Sequence, residues 1–441
     1  MAGISEDDKS TMSNNKIKVV WLCHFSDAKT RKVIRFEKLY YRRILKLLLH
    51  QEFVYTDYAV WITNAIREFE KFNDIDLTIV FPHAGIKGKT QRFEINGIHY
   101  FCFRSENDSF ISLLKDKFFR GGICLYRRNR KIIAKEIEKI NPDIVHLIGA
   151  ENPYYSLSIL DVDSSKPTIV SLQTLMSDPD FRNNYPIGKD EWKFRSGIEI
   201  EIIRKCTYIA TPEHRFRDII KDIILPNANF LNLYLALGQT INTDYVEKEY
   251  DFVYFAADIS KAADYAIEAF VLAAKLAPGI TLNISGYYSK DYKAQIQNRL
   301  DQFGLRSSVF FTGSKESHEE VLKQIKKSRF ALLPLKIDLI SGTIREAMAC
   351  GIPVVTTITP ATPELNERRE SVLLSQKGDF QAMADNMLKL LNKSDYANYV
   401  MKNALITVKE KYSNETFMRE WKDAYYHIEK VVNSSCHTVS I

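Results

Sequence analysis

Between Ala331 and Leu374 (ALLPLKIDLISGTIREAMACGIPVVTTITPATPELNERRESVLL) the chain concentrates residues whose types and spacing could do chemistry. A hydrophobic strand runs into a short loop, Ser341-Gly342-Thr343, where a helix begins. Ile344, Ala347, Met348 and Gly351 recur at i, i+3, i+4 and i+7 and define its packed face. Gly351 supplies the helix stop, and Pro353 opens the next strand. The Ser-Gly-Thr turn leaves backbone N–H groups at a helix N-terminus, where free donors and the positive end of the helix dipole hold a phosphate. Glu346 sits one turn inside, off the apolar face, so it can point along the carboxyl edge of the sheet. Carboxylates at that edge accept hydrogen bonds from ribose hydroxyls. The bland alternative is a well-capped helix between two buried strands.

A second candidate lies near the N-terminus. The first strand ends in Trp21-Leu22-Cys23-His24-Phe25-Ser26, and open α/β sheets bind ligands beyond the carboxyl ends of their strands. His24 stands there, as does His146 at the end of a later strand, Ile144–Ile148. Either histidine is equally readable as a satisfied polar group at a strand end.

The first segment resembles the donor-binding signature of the retaining, nucleotide-sugar-dependent glycosyltransferases of group 1 (glycosyltransferase family 4, GT-B fold). The family pattern sets two acidic residues separated by seven others, then A-M-A-x-G-x-P-V-V. Here it reads Asp338, seven residues, Glu346, then Ala347-Met348-Ala349-Cys350-Gly351-Ile352-Pro353-Val354-Val355. Pro363-Glu364 matches a later family position. The resemblance implies that Glu346 binds the donor ribose and that Asp338, an aspartate where the family usually has glutamate, faces the transferred sugar. The wording of the segment is similar to that of transferases in bacterial surface-polysaccharide pathways.

Further matches follow in family order. Lys261–Phe270 (KAADYAIEAF) is similar to a helix whose lysine neutralises the donor diphosphate, which assigns that task to Lys261. The paired arginine of the family falls on Ala256, and the glycine after the lysine is Ala262. Arg345 or Lys336 is a candidate substitute cation. Phe311-Thr312-Gly313-Ser314 resembles a loop beside the nucleotide base, with Gly313 allowing close backbone approach and Ser314 next to it. His146 falls in a D-I-V-H pattern common in the family and is a catalytic candidate beside Lys261 and Asp338. Gln173, in Ser171-Leu172-Gln173-Thr174, takes the region where many relatives carry a histidine near the transferred sugar. Glutamine can hydrogen-bond a hydroxyl there but cannot act as a base near neutral pH.

The elements that must position these residues alternate as strand and helix, the signature of βαβ units. Strands are predicted at Ile17–Cys23, Leu77–Phe81, Ile144–Ile148 and Thr168–Leu172, with helices at Asp57–Phe72 and Arg128–Ile140. A second series has strands near Phe252–Phe255, Thr281–Ser285, Val309–Phe311, Phe330–Pro334 and Pro353–Thr356. Its helices are about Lys261–Lys275, Asp291–Phe303, His318–Ser328 and Thr343–Cys350. This predicts an α/β protein of GT-B type, two Rossmann-like doubly wound domains facing across a cleft. A barrel would need eight strand–helix units closing one ring. The expected division is a tail at 1–15, an acceptor-binding domain at 16–230 and a donor-binding domain at 231–413. The linker is placed in Pro226–Glu249, and a helix at 414–432 either caps the second domain or crosses back to the first.

Composition sets the outer limits. The 441 residues suit about two or three domains, and 45% hydrophobic with 26% charged content is ordinary for a soluble globular protein. No stretch approaches the ~20 apolar residues that span a bilayer, and the polar N-terminus carries no secretory signal pattern. Six scattered cysteines without a C-x-x-C pair suit a reducing cytosol and argue against a structural zinc site. No cofactor is expected beyond the donor substrate, and no metal. Tyr40–His50 and Lys115–Lys139 set Arg and Lys beside aromatic and aliphatic residues, so they are either solvated amphipathic helices or a contact with an anionic membrane at the inner face of the plasma membrane. Nothing resembles a nucleic-acid recognition motif. The partners expected are a nucleotide-sugar donor and a glycan or lipid-linked acceptor. The rival readings are a catalytically degenerate GT-B scaffold and a sugar-nucleotide epimerase of the same fold. A dehydrogenase is disfavoured because no G-x-G-x-x-G follows the first strand.

Overall fold

A computed structural model describes residues 16–37, 57–105, 126–179, 181, 187–237, 243–255, 262–286, 288, 290–315, 317–336 and 342–438. Fourteen strands are present among them, in two sheets. The first holds β1 (Ile17–Leu22), β2 (Ile75–Pro82), β3 (Thr90–Ile95), β4 (Ile98–Phe103), β5 (Ile144–Ile148), β6 (Thr168–Ser171), β7 (Tyr208–Ala210) and β8 (Phe230–Leu231). The second holds β9 (Tyr250–Phe255), β10 (Leu282–Ser285), β11 (Val309–Gly313), β12 (Ser328–Leu332), β13 (Val354–Thr357) and β14 (Leu373–Ser375).

The strand orders are β3-β4-β2-β1-β5-β6-β7-β8 and β11-β10-β9-β12-β13-β14. Every pairing is parallel except that of β3 with β4. In each sheet the order reverses beside the first strand, between β1 and β5 and between β9 and β12. Such switch points open a crevice beyond the carboxyl ends of the strands. The helices that matter below are α1 (Ala28–Val33), α2 (Val60–Phe69), α3 (Arg127–Ile140), α4 (Lys189–Lys205), α5 (Ala263–Leu276), α6 (His318–Lys326), α7 (Gly342–Ala349), α8 (Ser394–Lys411) and α9 (Asn414–Thr438).

Central parallel strands are covered on both faces and so read as continuous apolar runs. All of β5 (IVHLI) and β13 (VVTT) is buried. The edge hairpin β3–β4 is different. Its turn is Asn96-Gly97, both with positive φ (51° and 78°), the geometry that twists a two-residue hairpin correctly. The sequence pattern predicts no strand there, because β3 (TQRFEI) alternates on an exposed edge and carries little apolar signal. Phe230–Leu231, within the segment read as linker, is β8, and Leu233, Ala236 and Leu237 beyond it are buried.

Helix α9 lies on the first sheet, not the second. Phe417, Met418, Trp421, Tyr425 and Ile428 form its buried face. Trp21 of β1 donates from Nε1 to Tyr425 Oη at 2.8 Å, and its ring meets Phe69 of α2 and Trp421 edge-on at 4.8 and 5.4 Å. Burying each such aromatic stabilises the fold by about 1.5–3 kcal/mol. Lys422 adds an ion pair to Asp74 at 2.6 Å. The start of α9 is fixed by Asn414, whose Oδ1 accepts from Leu237 N at 2.6 Å, while Asn64 of α2 donates to Leu237 O at 2.7 Å. The last helix therefore ties the two halves together.

Candidate functional site

Helix α7 is held as the apolar spacing requires: Ile344, Ala347, Met348 and Ala349 have no exposed surface. Its end is a Schellman motif, with Gly351 at φ +68°, Ile352 N bonded to Ala347 O at 3.0 Å and Gly351 N to Met348 O at 3.0 Å. That fixes Glu346, which is 8% exposed. Its Oε1 lies 3.4 Å from Nε2 of His318, the first residue of α6. Thr343 and Gly342 start α7 and are half-buried. Lys261, Asp338 and Ser341, and Ala256 with them, lie outside the described residues.

The loop with Gly313 and Ser314 follows the edge strand β11. Gly313 ends β11 with φ +68°, and its carbonyl accepts from Gly286 N at 3.0 Å. Tyr288 meets Phe311 edge-on at 5.3 Å, leaving an aromatic wall next to exposed Ser314. Of the two substitute cations, Lys336 is paired with Asp264 at 2.6 Å and sits over the Tyr265 ring at 4.9 Å. Arg345 stacks over Tyr412 at 5.5 Å. Both are already engaged by their own domain.

The carboxyl edge of the first sheet gathers a second set. His24 follows β1 and is half-buried, with Nδ1 2.5 Å from Tyr154 Oη and its ring 4.9 Å from that of Tyr58. Burial, with His83 nearby, lowers its pKa to about 4, so the ring is neutral at pH 7. Gly149 follows β5 with φ +86°. A Cβ on it would stand 2.8 Å from Glu151 Oε1 and Tyr155 Oη and 2.9 Å from Gln173 Nε2. The glycine lets these groups converge. Glu151 keeps one oxygen, Oε2, enclosed without a hydrogen-bond partner, and desolvation raises its pKa. Arg195 instead donates to the backbone oxygen of Glu151 at 2.7 Å. Glu151, Tyr154, Tyr58 and Arg195 were not singled out in the sequence; they lie on separate segments, and only Gly149 beyond a buried strand hinted at a close approach.

Gln173 stands on a loop that Glu199 of α4 holds. The Glu199 carboxylate accepts from Met176 N at 2.9 Å and from Ser177 N and Oγ at 2.8 Å each. It is fully enclosed, and desolvation raises its pKa to about 7.

His146 needs correction. It has no exposed surface, and its two ring nitrogens are 2.6 Å from Tyr425 Oη and 2.7 Å from Ser171 Oγ. Burial lowers its pKa to about 3. A ring sealed between β6 and α9 reaches no substrate, so His146 is a core group and not a catalytic one.

These features define a class: two doubly wound α/β domains whose strand ends carry convergent polar groups, which is the GT-B fold. Solved structures agree in fold. Sucrose-phosphate synthase from Thermosynechococcus elongatus superposes with a TM-score of 0.66 at 12% identity, over 94% of this chain and 100% of that one. Anabaena Alr3699/HepE in complex with UDP and glucose gives 0.61 at 11% identity, over 92% and 99%. Residues 243–406, from just before β9 into α8, match the family model of glycosyl transferases group 1. The second domain is therefore similar to the glycosyl transferases of group 1. Curated relatives include the amylovoran biosynthesis glycosyltransferase AmsK of Erwinia amylovora, 31% identical over 136 residues, 30% of this chain. Another is the N-acetyl-alpha-D-glucosaminyl L-malate synthase of Bacillus anthracis, 25% identical over 124 residues, 28% of this chain. The matched stretch spans about a third of those relatives, 33% and 32% of their length.

Proposed function

We propose that the protein is a glycosyltransferase that moves a sugar from a nucleoside-diphosphate sugar to a hydroxyl of a glycan or lipid-linked acceptor, with retained anomeric configuration, in bacterial surface-polysaccharide synthesis. The observation that carries this reading is Glu346, enclosed at the carboxyl edge of the domain similar to group 1 glycosyl transferases, with its Oε1 3.4 Å from His318 Nε2. Relatives active in polysaccharide synthesis support the pathway class.

In this reading Glu346 accepts hydrogen bonds from the donor ribose. Lys261 and the backbone N–H groups at the start of α7 carry the diphosphate charge without a metal, and Asp338 faces the sugar. The acceptor oxygen attacks the anomeric carbon on the face from which the phosphate leaves. The C–O bond to the phosphate breaks through an oxocarbenium-like state, and the acceptor proton passes to the leaving phosphate oxygen. Gln173 and neutral His24 orient hydroxyls, since neither is suited to hold that proton. Among the described residues no helix is long and apolar enough to cross a membrane. Membrane contact, if the acceptor is lipid-linked, falls to α3, whose Arg127, Arg128 and Lys131 are exposed. Tyr40–His50 lies outside the described residues.

The test is thermal stabilisation of the purified chain by UDP, GDP, ADP and CMP, with Glu346→Ala as control. One nucleotide is expected to raise the melting temperature of the wild type and not of the variant. Stabilisation that survives in Glu346→Ala would remove the assignment.

A further inference from the structure

Arg31, Asp57, His318 and Glu346 form a line from the first domain to the donor-side carboxylate. Their side chains are 13%, 16%, 17% and 11% exposed, so water and salt screen these contacts weakly. Asp57 is fixed from its own side: Arg31 pairs with Oδ1 at 2.7 Å. The adjacent Tyr58 exchanges backbone hydrogen bonds with Ser26 at 3.1 and 2.8 Å. Asp57 therefore presents its carboxylate from a rigid position. The second oxygen, Oδ2, accepts from His318 N at 3.1 Å.

That N–H belongs to the first turn of α6, where a helix has no internal acceptors, and a carboxylate there also meets the positive end of the helix dipole. Ser317 caps α6 from its own domain by accepting from Glu320 N at 3.3 Å. Asp57 thus serves a different donor of the same turn, and it does so from the opposite domain. The residue it grips is the one whose ring stands 3.4 Å from Glu346 Oε1.

We propose that Asp57 and His318 form a cross-cleft tie that positions Glu346, so that the affinity for the donor nucleotide is set in part by a residue of the opposite domain. The inference rests on the proposed donor role of Glu346. Asp57 and His318 act as positioning residues: seating α6 against Asp57 places the His318 ring 3.4 Å from Glu346 Oε1, where the ring restricts the orientations open to the carboxylate. A nucleotide that requires this carboxylate orientation binds more tightly when the tie is made, and by linkage its binding strengthens the tie.

The experiment is calorimetric titration of the full chain with UDP, GDP, ADP and CMP, continued with whichever binds. Asp57→Ala and His318→Ala are each expected to weaken binding by about 5- to 10-fold, and the double variant no further than the weaker single one, because both break one line. Asp57→Asn keeps an oxygen for the helix N–H and is expected to recover most of the affinity lost in Asp57→Ala. Additive losses in the double variant, or no recovery in Asp57→Asn, overturn the tie. If Asp57→Ala loses its folded circular dichroism, the cycle is run with Asp57→Asn and His318→Ala, and additivity there overturns the tie equally. Glu346→Gln separates the two layers. Loss of binding in Glu346→Gln with wild-type binding in Asp57→Ala and His318→Ala overturns the tie and keeps the donor role. Wild-type binding in Glu346→Gln, or no binding of any of the four nucleotides by the wild type, overturns the donor role and the tie with it.

Discussion

The two sheet edges that face one another are built by different means. In the second domain, one contiguous stretch supplies a strand end, a helix start and a carboxylate, so local spacing already sets where Glu346 stands. On the opposite edge the convergent groups come from His24, Tyr58, Gly149 to Tyr155, Gln173 and Arg195, brought together only by the strand order. The chemistry differs as well. The first edge offers a helix N-terminus suited to an anion. The second holds neutral His24, aromatic rings and the enclosed Glu151 carboxylate, a set suited to hydrogen bonds with hydroxyls. A site that packs its geometry into one segment can be read from that segment; a site assembled by topology cannot.

The sharpest way to break this contrast is Gly149→Ala. The backbone is left-handed at φ +86°, and the added methyl would stand under 3.0 Å from Glu151, Tyr155 and Gln173. Strain and displacement together predict a loss of about 2–4 kcal/mol, read from urea unfolding. The convergence would then be dispensable if Gly149→Ala unfolded at the wild-type midpoint.

Much of the frame is legible in the sequence. Ile144–Ile148 was placed to the residue, and Thr343–Cys350 falls one residue from α7. Long buried strands and strongly periodic helices announce themselves because their apolar pattern is dictated by what covers them. β7 and β8, of three and two residues, are too short to show a period. β14 and α4 were passed over, the latter because KDEWKFRSGIEIEIIRK carries charge on most of its length. His146 misled for another reason. Its partner Tyr425 lies 279 positions away, so the sequence shows a histidine at a strand end and hides what seals it. The same separation hides the grip of Asp57 on α6, 261 positions apart.

Acidification gives the next test, because the enclosed groups of the first domain pull in opposite directions. His24 and His146 titrate near 4 and 3 in the folded chain, below the ordinary 6.5. They bind fewer protons folded than unfolded, so their contribution is present above pH 6.5 and is lost as pH falls through the folded values. Glu199 is raised from 4.5 to about 7, so it binds more protons folded and gains stability as pH falls from 7 to 4.5. Glu151, which desolvation also raises, pulls with Glu199 against the two histidines. Glu199→Gln removes the Glu199 part of this offset, and its urea midpoint is expected to fall more steeply between pH 7 and 4.5, by on the order of 1–2 kcal/mol relative to wild type. Parallel pH profiles for the two proteins would mean that Glu199 does not titrate in that window.

The smallest effect returns to a glycine, now at the start of α7. Gly342 opens α7 outside the left-handed region, and a Cβ there meets nothing within 4 Å among the described residues. Alanine at that position restricts the unfolded chain without straining the folded one, so Gly342→Ala is expected to gain about 0.4–1 kcal/mol, opposite in sign to Gly149→Ala. Nucleotide binding then discriminates what the space is for. If the diphosphate approaches the start of α7, the methyl intrudes on it, and affinity falls although the protein is more stable. A variant that gains stability and binds nucleotide as the wild type does would place the phosphates away from this turn, and leave Lys261 to carry their charge.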